Sequence, residues 1–274
     1  MPFTDKAANP YYLIPKSLNE GCYQLFLAKT SSSSEWKAIA AAVKTLVEEA
    51  TFEANSEGLA FRAMDPSHVA LVDLTMPSTS FQAYECSKPF KFSVRVEDLV
   101  KLIGRSDTKD SVEIKETEED AIAVTFQNGY KREFTIHLIE STAGSAPLPK
   151  LEFETKATMT KTIMEKILGD MSVVADQVTI QASKEKITFS GKSDIGKAEV
   201  ALAKNDADVL KIESTSESKA TFSIEYINSI LRALGGVADT VELSYSTKKP
   251  LLLSFALNSQ GARLLFYLAP RVSE

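Results

Sequence analysis

Glycine-rich phosphate loops of the P-loop or dinucleotide kind are missing from this chain, and each further absence removes another class of function. There are two cysteines, Cys22 and Cys86, in 274 residues. That is too few for a disulfide framework, and both read as small packing residues in a reducing compartment. The histidines are also two, His68 and His137, and no Cys-x-x-Cys or His-Glu-x-x-His spacing suggests a metal. No apolar run approaches the roughly eighteen residues of a membrane-spanning helix. Met1 to Glu20 lacks the apolar block of a signal peptide. It holds Pro2, Pro10 and Pro15 and reads as an extension with no fold of its own. No cofactor, metal or membrane contact is expected, and the location follows as cytosolic or nuclear.

What is present is ordinary in bulk and informative in pattern. The chain is 44% hydrophobic and 25% charged, with a net charge of −6. That composition suits one large or two ordinary globular domains. The acidic total argues at first against nucleic acid, but net charge is a sum and can hide a basic face.

Short strands make up most of the chain. "ATFEA" (Ala50 to Ala54), "GLAFRAM" (Gly58 to Met64), "FQAYEC" (Phe81 to Cys86) and "CYQLFLA" (Cys22 to Ala28) alternate or are rich in β-formers, with turn residues between them. Four segments have helical spacing instead. The first is predicted from about Ser34, as N-cap, to Glu49, burying Trp36, Ile39, Ala40, Val43 and Val47. The second is Val96 to Gly104, the third "TMTKTIMEKILGDM", and the fourth "IEYINSILRALGG", closed by Gly235 and Gly236.

The same order occurs twice. "SVRVEDLVKLI" lies over "TFSIEYINSIL", with Val94 over Phe222 and Leu99 over Ile227. "AIAVTFQN" lies over "LLLSFAL", with Phe126 over Phe255. A duplicated α+β unit follows, each copy built of antiparallel sheets with two helices. The boundaries predicted are an extension at 1–20, a first domain at 21–139, a small, polar linker at 140–150, and a second domain at 151–274.

Charge separates by element. The helical segments carry Lys37 and Lys44, Lys101, Lys161 and Lys166, and Arg232, away from their apolar stripes. Many acids sit in strand turns, among them Glu116, Glu118, Glu119, Asp120, Asp206 and Asp208. On any one helix such cations are more readily explained by solubility. If all four helices share a side, that side is basic inside an acidic shell, and it would hold phosphates without reading sequence. Few aromatics accompany the cations, which favours duplex over single strands.

A catalytic constellation is hard to assemble. Asp65, Ser67 and His68 carry the letters of a triad, but residues this close in one turn rarely reach triad geometry. His68 reads as a turn histidine bonded to nearby backbone or as a recognition residue. Glu48 and Glu49 are helix neighbours that do not face one another. His137 and Trp36 read as structural. No catalytic residue is assigned. One strand is anomalous: in "AMDPSHVALVDLTM" one face is Ala70, Val72, Leu74 and Met76, while the other begins with Val69 and Leu71 before turning polar at Asp73 and Thr75. Either Val69 and Leu71 are covered, or they form a patch for a partner.

"AMDPSHVALVDLTM" resembles the "MDxSHVxLVxL" segment of the proliferating cell nuclear antigen family, and "FYLAPRVSE" resembles that family's "YYLAPK" terminus. The likeness runs from about Gly21 to Glu274. It implies a DNA clamp fold and a non-enzymatic ring of three two-domain subunits, closed head to tail around double-stranded DNA. By position it implies DNA-facing roles for Lys37, Lys44, Lys101 and Arg232, with Lys161 and Lys166 expected to compensate where Gly104, Gly169 and Val173 replace basic or histidine residues of relatives. It also implies an apolar pocket for short partner peptides, made from Met64, His68, Val69, Leu71, Leu148, Pro149, Pro250, Tyr267, Ala269 and Pro270, with Val69 and Leu71 uncovered. The partners implied are DNA polymerase, clamp loader, flap endonuclease and DNA ligase. Ring closure is expected from "KREFTIHLI" and "KAEVALA". Ala146, Phe153 and Phe266 depart from the family pattern. A homotrimer, a heterotrimer or checkpoint-type subunit, and a β-rich adaptor without DNA binding remain open at this point. The location implied is the archaeal cytoplasm at the nucleoid, or the nucleus in a eukaryote.

Overall fold

Two copies of one strand–helix plan make up the molecule. The computed structural model describes residues 26–141 and 146–271, so Cys22, the N-terminal extension and the middle of the linker lie outside the described residues. The first copy runs β1 (Phe26–Thr30), α1 (Ser34–Lys44), β2 (Glu49–Asn55), β3 (Gly58–Met64), β4 (Ala70–Pro77), β5 (Ala83–Cys86), β6 (Phe90–Arg95), α2 (Val96–Ile103), β7 (Ser111–Glu116), β8 (Ala121–Asn128) and β9 (Tyr130–His137). The second repeats the order as β10 (Thr155–Thr160), α3 (Lys161–Ser172), β11 (Gln177–Ala182), β12 (Lys186–Ser193), β13 (Gly196–Ala203), β14 (Val209–Ser214), β15 (Ser218–Ser223), α4 (Ile224–Leu234), β16 (Thr240–Tyr245), β17 (Leu251–Ala256) and β18 (Arg263–Leu268).

Alternation produces these strands. Along β2, Ala50, Phe52 and Ala54 are buried while Glu49, Glu53 and Asn55 are exposed, the period of a half-buried sheet. The β2–β3 turn depends on Gly58, with φ +151° and no room for a side chain: a Cβ there would lie 2.1 Å from the Met76 carbonyl oxygen.

Every strand pairing is antiparallel, and the copies are fused through a sheet. One five-stranded sheet has the order β5-β1-β7-β8-β9, and one four-stranded sheet has β13-β12-β11-β15. The third has nine strands, β14-β10-β16-β17-β18-β4-β3-β2-β6. It crosses the domain boundary where β18 pairs with β4, Leu264 opposite Leu74, Phe266 opposite Val72 and Leu268 opposite Ala70. All six of those side chains are buried. β9 and β13 lie at the ends of the other two sheets, each with one edge unpaired among the described residues.

The helices differ from expectation at their ends. α1 stops at Lys44 rather than near Glu49, because Glu49 already pairs with Arg95 in the β2–β6 ladder. Its N-cap is Ser33, not Ser34, and the Ser33 hydroxyl donates instead to the Asp107 carbonyl at 2.6 Å. α3 begins at Lys161, since Thr158 to Thr160 complete β10; the Thr160 hydroxyl then accepts from the Ile163 N–H. Gly235 ends α4 at φ +51° as glycine stops do, whereas Gly104 after α2 keeps right-handed helical backbone.

Candidate nucleic-acid and partner interfaces

The four helices form one row. α1 packs between α2 and α4, and α3 packs on the far side of α4. Each buries an apolar stripe, for example Ile224, Ile227, Ile230, Leu231 and Leu234 of α4, so the outward residues of the row make one continuous surface. Lys44, Lys101, Lys166 and Arg232 are exposed and Lys37 is half-buried. Among the described residues Lys37, Lys44, Lys166 and Arg232 have no ion pair. Lys101 is exposed but bonded to Glu97 at 2.8 Å, one turn earlier. Lys161 is a correction. It is 8% exposed, and its ammonium donates to Glu165 at 2.7 Å, so it is spent within its own helix. Its position at the start of α3 points it into the domain, where a lysine must be paired to be buried. Gly104, Gly169 and Val173 are exposed, so positive charge along the row is sparse.

The Asp-Pro-Ser-His turn is an anchor for the joint between domains. Asp65 is 5% exposed. One carboxylate oxygen accepts from the Val69 and Ala70 N–H groups, each at 2.7 Å, and the other accepts from the Tyr226 hydroxyl of α4 at 3.1 Å. The His68 N–H donates to the Asp65 carbonyl at 2.9 Å, closing the turn with His68 in left-handed backbone at φ +56°. The Tyr226 hydroxyl is pushed up by burial, and further by its bond to Asp65. Asp65 therefore serves backbone and Tyr226, while Ser67 and His68 point to solvent as exposed residues. That is no triad. Cys86 is half-buried with its thiol pushed up chiefly by burial, which disfavours the reactive thiolate.

On the outer face of the nine-stranded sheet an apolar row crosses this joint. Met64 stands opposite Leu71, Leu71 opposite Tyr267, and Tyr267 opposite Leu252. Leu71 corrects an expectation: it is 3% exposed, because cross-strand neighbours on both sides cover it. Val69 is half-buried, and its carbonyl accepts from the Ala269 N–H at 2.8 Å. Tyr267 is also nearly buried, which pushes its hydroxyl pKa up. Leu148 is exposed; Pro149, Pro250, Ala269 and Pro270 are half-buried. Next to the row, a groove of about 640 Å3 takes in Met64 and His68 of the expected residues, together with Arg62, Asp73, Ala146 and Pro147.

Sequence reasoning missed three members of this face. Leu252 completes the row and was concealed inside a run of three leucines. Arg62 and Asp73, opposite one another in β3 and β4, bond at 2.7 Å, and Arg62 also donates to the Ala146 carbonyl of the linker at 3.4 Å. The lone aspartate in an apolar strand was the signal available for that pair.

Family models for the N-terminal and the C-terminal domain of the proliferating cell nuclear antigen match residues 25–141 and 147–271. The chain belongs to the proliferating cell nuclear antigen family. Its relatives in that family include proteins named DNA polymerase sliding clamp from Cenarchaeum symbiosum and Nitrosopumilus maritimus. Both are 45% identical to it across 90% of this chain, and across 99% and 98% of their own lengths. The clamp of Pyrococcus furiosus is 31% identical across 84% of this chain and 91% of its own. The crystal structure of the antigen from Thermococcus kodakaraensis matches with a TM-score of 0.85, over 90% of this chain and all of that one, at 24% identity. That last likeness speaks to the fold. Members of the proliferating cell nuclear antigen family are non-enzymatic scaffolds, which agrees with the commitments of Asp65 described above.

Proposed function

We propose that this chain is a sliding clamp that closes as a ring of three copies around duplex DNA. In that state it tethers a replicative DNA polymerase and docks further replication and repair proteins. The observation that carries the reading is the β18–β4 joint. β9 is the first-domain counterpart of β18, and β13 is the second-domain counterpart of β4, so the pairing that joins two domains within a chain is available again between chains. A head-to-tail contact of this kind closes if its rotation divides a full turn. The same repetition extends the helix row around the inside of the ring, where Lys37, Lys44, Lys166, Arg232 and the paired Lys101 would face phosphates. Contacts so sparse would hold duplex by enclosure and leave it free to slide.

The outer apolar row beside the linker is the docking surface in this reading. Met64, Tyr267 and Leu252 offer a floor, with Leu148, Pro149, Pro250, Ala269 and Pro270 around it. A short peptide with aromatic anchors suits such a surface. DNA polymerase, clamp loader, flap endonuclease and DNA ligase are the partners the family suggests, and the archaeal cytoplasm at the nucleoid is the setting.

The test joins mass to function. Light scattering of the purified chain should give three times the monomer mass. Substituting Lys37, Lys44, Lys166 and Arg232 together by glutamate should leave that mass intact and reduce polymerase stimulation by more than about tenfold at low salt. Undiminished stimulation would remove the helix row from contact with DNA.

A further inference from the structure

Residues 1–24 precede the family match and contain one compact apolar stretch, Pro10, Tyr11, Tyr12, Leu13, Ile14 and Pro15. Building on the docking-surface reading, we propose that this stretch occupies the groove beside the linker of its own chain. Tyr11 and Tyr12 sit at the end formed by Met64 and His68, so a partner peptide must displace them.

The chain enters the fold beside that groove. Phe26 opens β1, and its ring packs against Phe90 and Phe92 of β6 with centroids 5.3 and 5.8 Å away. β6 is the end strand of the nine-stranded sheet. Lys91, between those two phenylalanines, lies on the opposite face by alternation and lines the groove. From there the groove passes Thr51 on β2 and Ala60 on β3 and ends at Met64 and His68, with Pro147 of the linker as its other wall. It leads from the strand where the chain enters to the apolar row where partners dock.

Reach is sufficient. Phe90 is level with Ala54 and Leu59. From strand spacing and rise, Met64 is then about 20 Å from Phe90 across the sheet face, and rounding the sheet edge adds ~10 Å. The chain from Pro15 to Phe26 can span ~36 Å when extended.

The chemistry fits as well. Tyrosine offers a large apolar ring with a hydroxyl that needs a partner when buried. The groove end supplies half-buried Met64, exposed His68 and the Arg62–Asp73 pair. Pro10 and Pro15 fix their own φ and disfavour helix in the residue before each, which lowers the ordering cost of lying extended. Lys16 follows directly. Glu49 lines the groove, is exposed and has no ion pair among the described residues. Because Phe52 pairs with Phe61, Glu49 and Met64 lie at the same end of the β2–β3 ladder, and Lys16 is placed to pair with Glu49 there. Tethering holds the stretch at an effective concentration of about 1 mM. Weak intrinsic affinity therefore suffices to seat it, and the chain's own segment outcompetes that of a second copy.

The test uses the full chain and a labelled peptide of about twelve residues carrying two adjacent phenylalanines, followed by fluorescence anisotropy. Tyr11→Ala with Tyr12→Ala should tighten binding of this probe at least about fivefold, the factor by which a tether at ~1 mM opposes a competitor when the segment's own affinity is ~0.2 mM. Location is read by disulfide formation in a chain carrying Cys22→Ser and Cys86→Ser. Lys16→Cys with Glu49→Cys should join within one chain. Lys16→Cys with Lys211→Cys, on β14 at the far edge of the same sheet, should not. Equal probe binding by parent and variant, no cross-link at Glu49→Cys, a cross-link between chains instead of within one, or equal cross-linking at Lys211→Cys would overturn this inference and leave the docking surface in place. A probe that binds neither form would instead overturn the docking-surface reading, and this inference with it.

Discussion

The internal joint and the outer ends of the molecule are built from equivalent strands and treat their edges in opposite ways. At the joint, β18 and β4 meet with Leu264, Phe266, Leu268, Leu74, Val72 and Ala70 all buried. At the ends, β9 and β13 show half-buried Phe134, Ile136, Ala198 and Val200 on one face and charged Lys131, Glu133, Lys197 and Glu199 on the other. The joint's partners are tethered to each other and can be greasy throughout. An edge that waits for another molecule must stay soluble, and charges on an open strand discourage indiscriminate pairing. Side-chain hydrogen bonds also cross the joint, among them Tyr226 to Asp65 at 3.1 Å and Asn258 to Glu35 at 3.0 Å.

If the joint is the rigid member of the comparison, its core should be the most sensitive place to cut. Leu264→Ala should lower stability by about 2–5 kcal/mol in urea unfolding, as large-to-small core changes do. Phe134→Ala at the outer end should cost the isolated chain clearly less, since Phe134 is half-buried against Phe126, and should weaken assembly as well. Equal losses of monomer stability at both sites would erase the distinction. Tyr226→Phe should cost about 1–2 kcal/mol, because a buried carboxylate oxygen loses its donor. The smallest effect is expected at Glu35. Burial holds its carboxyl above the ordinary value, only partly offset by the bond from Asn258. A raised pKa in the folded state means that stability declines as pH rises through the range from the ordinary glutamate value to the raised one. Glu35→Gln keeps the acceptor for Asn258 and removes that decline, so thermal unfolding of the variant should lie slightly above the parent at neutral pH and match it near pH 3.

The outer apolar row was legible only in part. Met64, Val69 and Tyr267 were visible from the sequence as members of one surface through family likeness. That Leu71 is covered was not, because its cover comes from Tyr267, almost two hundred positions along the chain. Lys161 fails for a related reason. Helical spacing put it with the other cations, but its side chain is buried at the start of α3 and paired with Glu165 one turn on. The ends of α1 and α3 were misread where strand pairing took residues that local periodicity assigned to helix.

The order of strands and helices, the duplication and the polarity of each strand face were determined by the sequence alone, since periods of two and of 3.6 residues are local properties. Only the tertiary structure decided that β18 meets β4, that the helices form one row, and which cations stay free. Those outcomes depend on contacts between residues far apart in the chain, and no local pattern carries the energy of a distant neighbour.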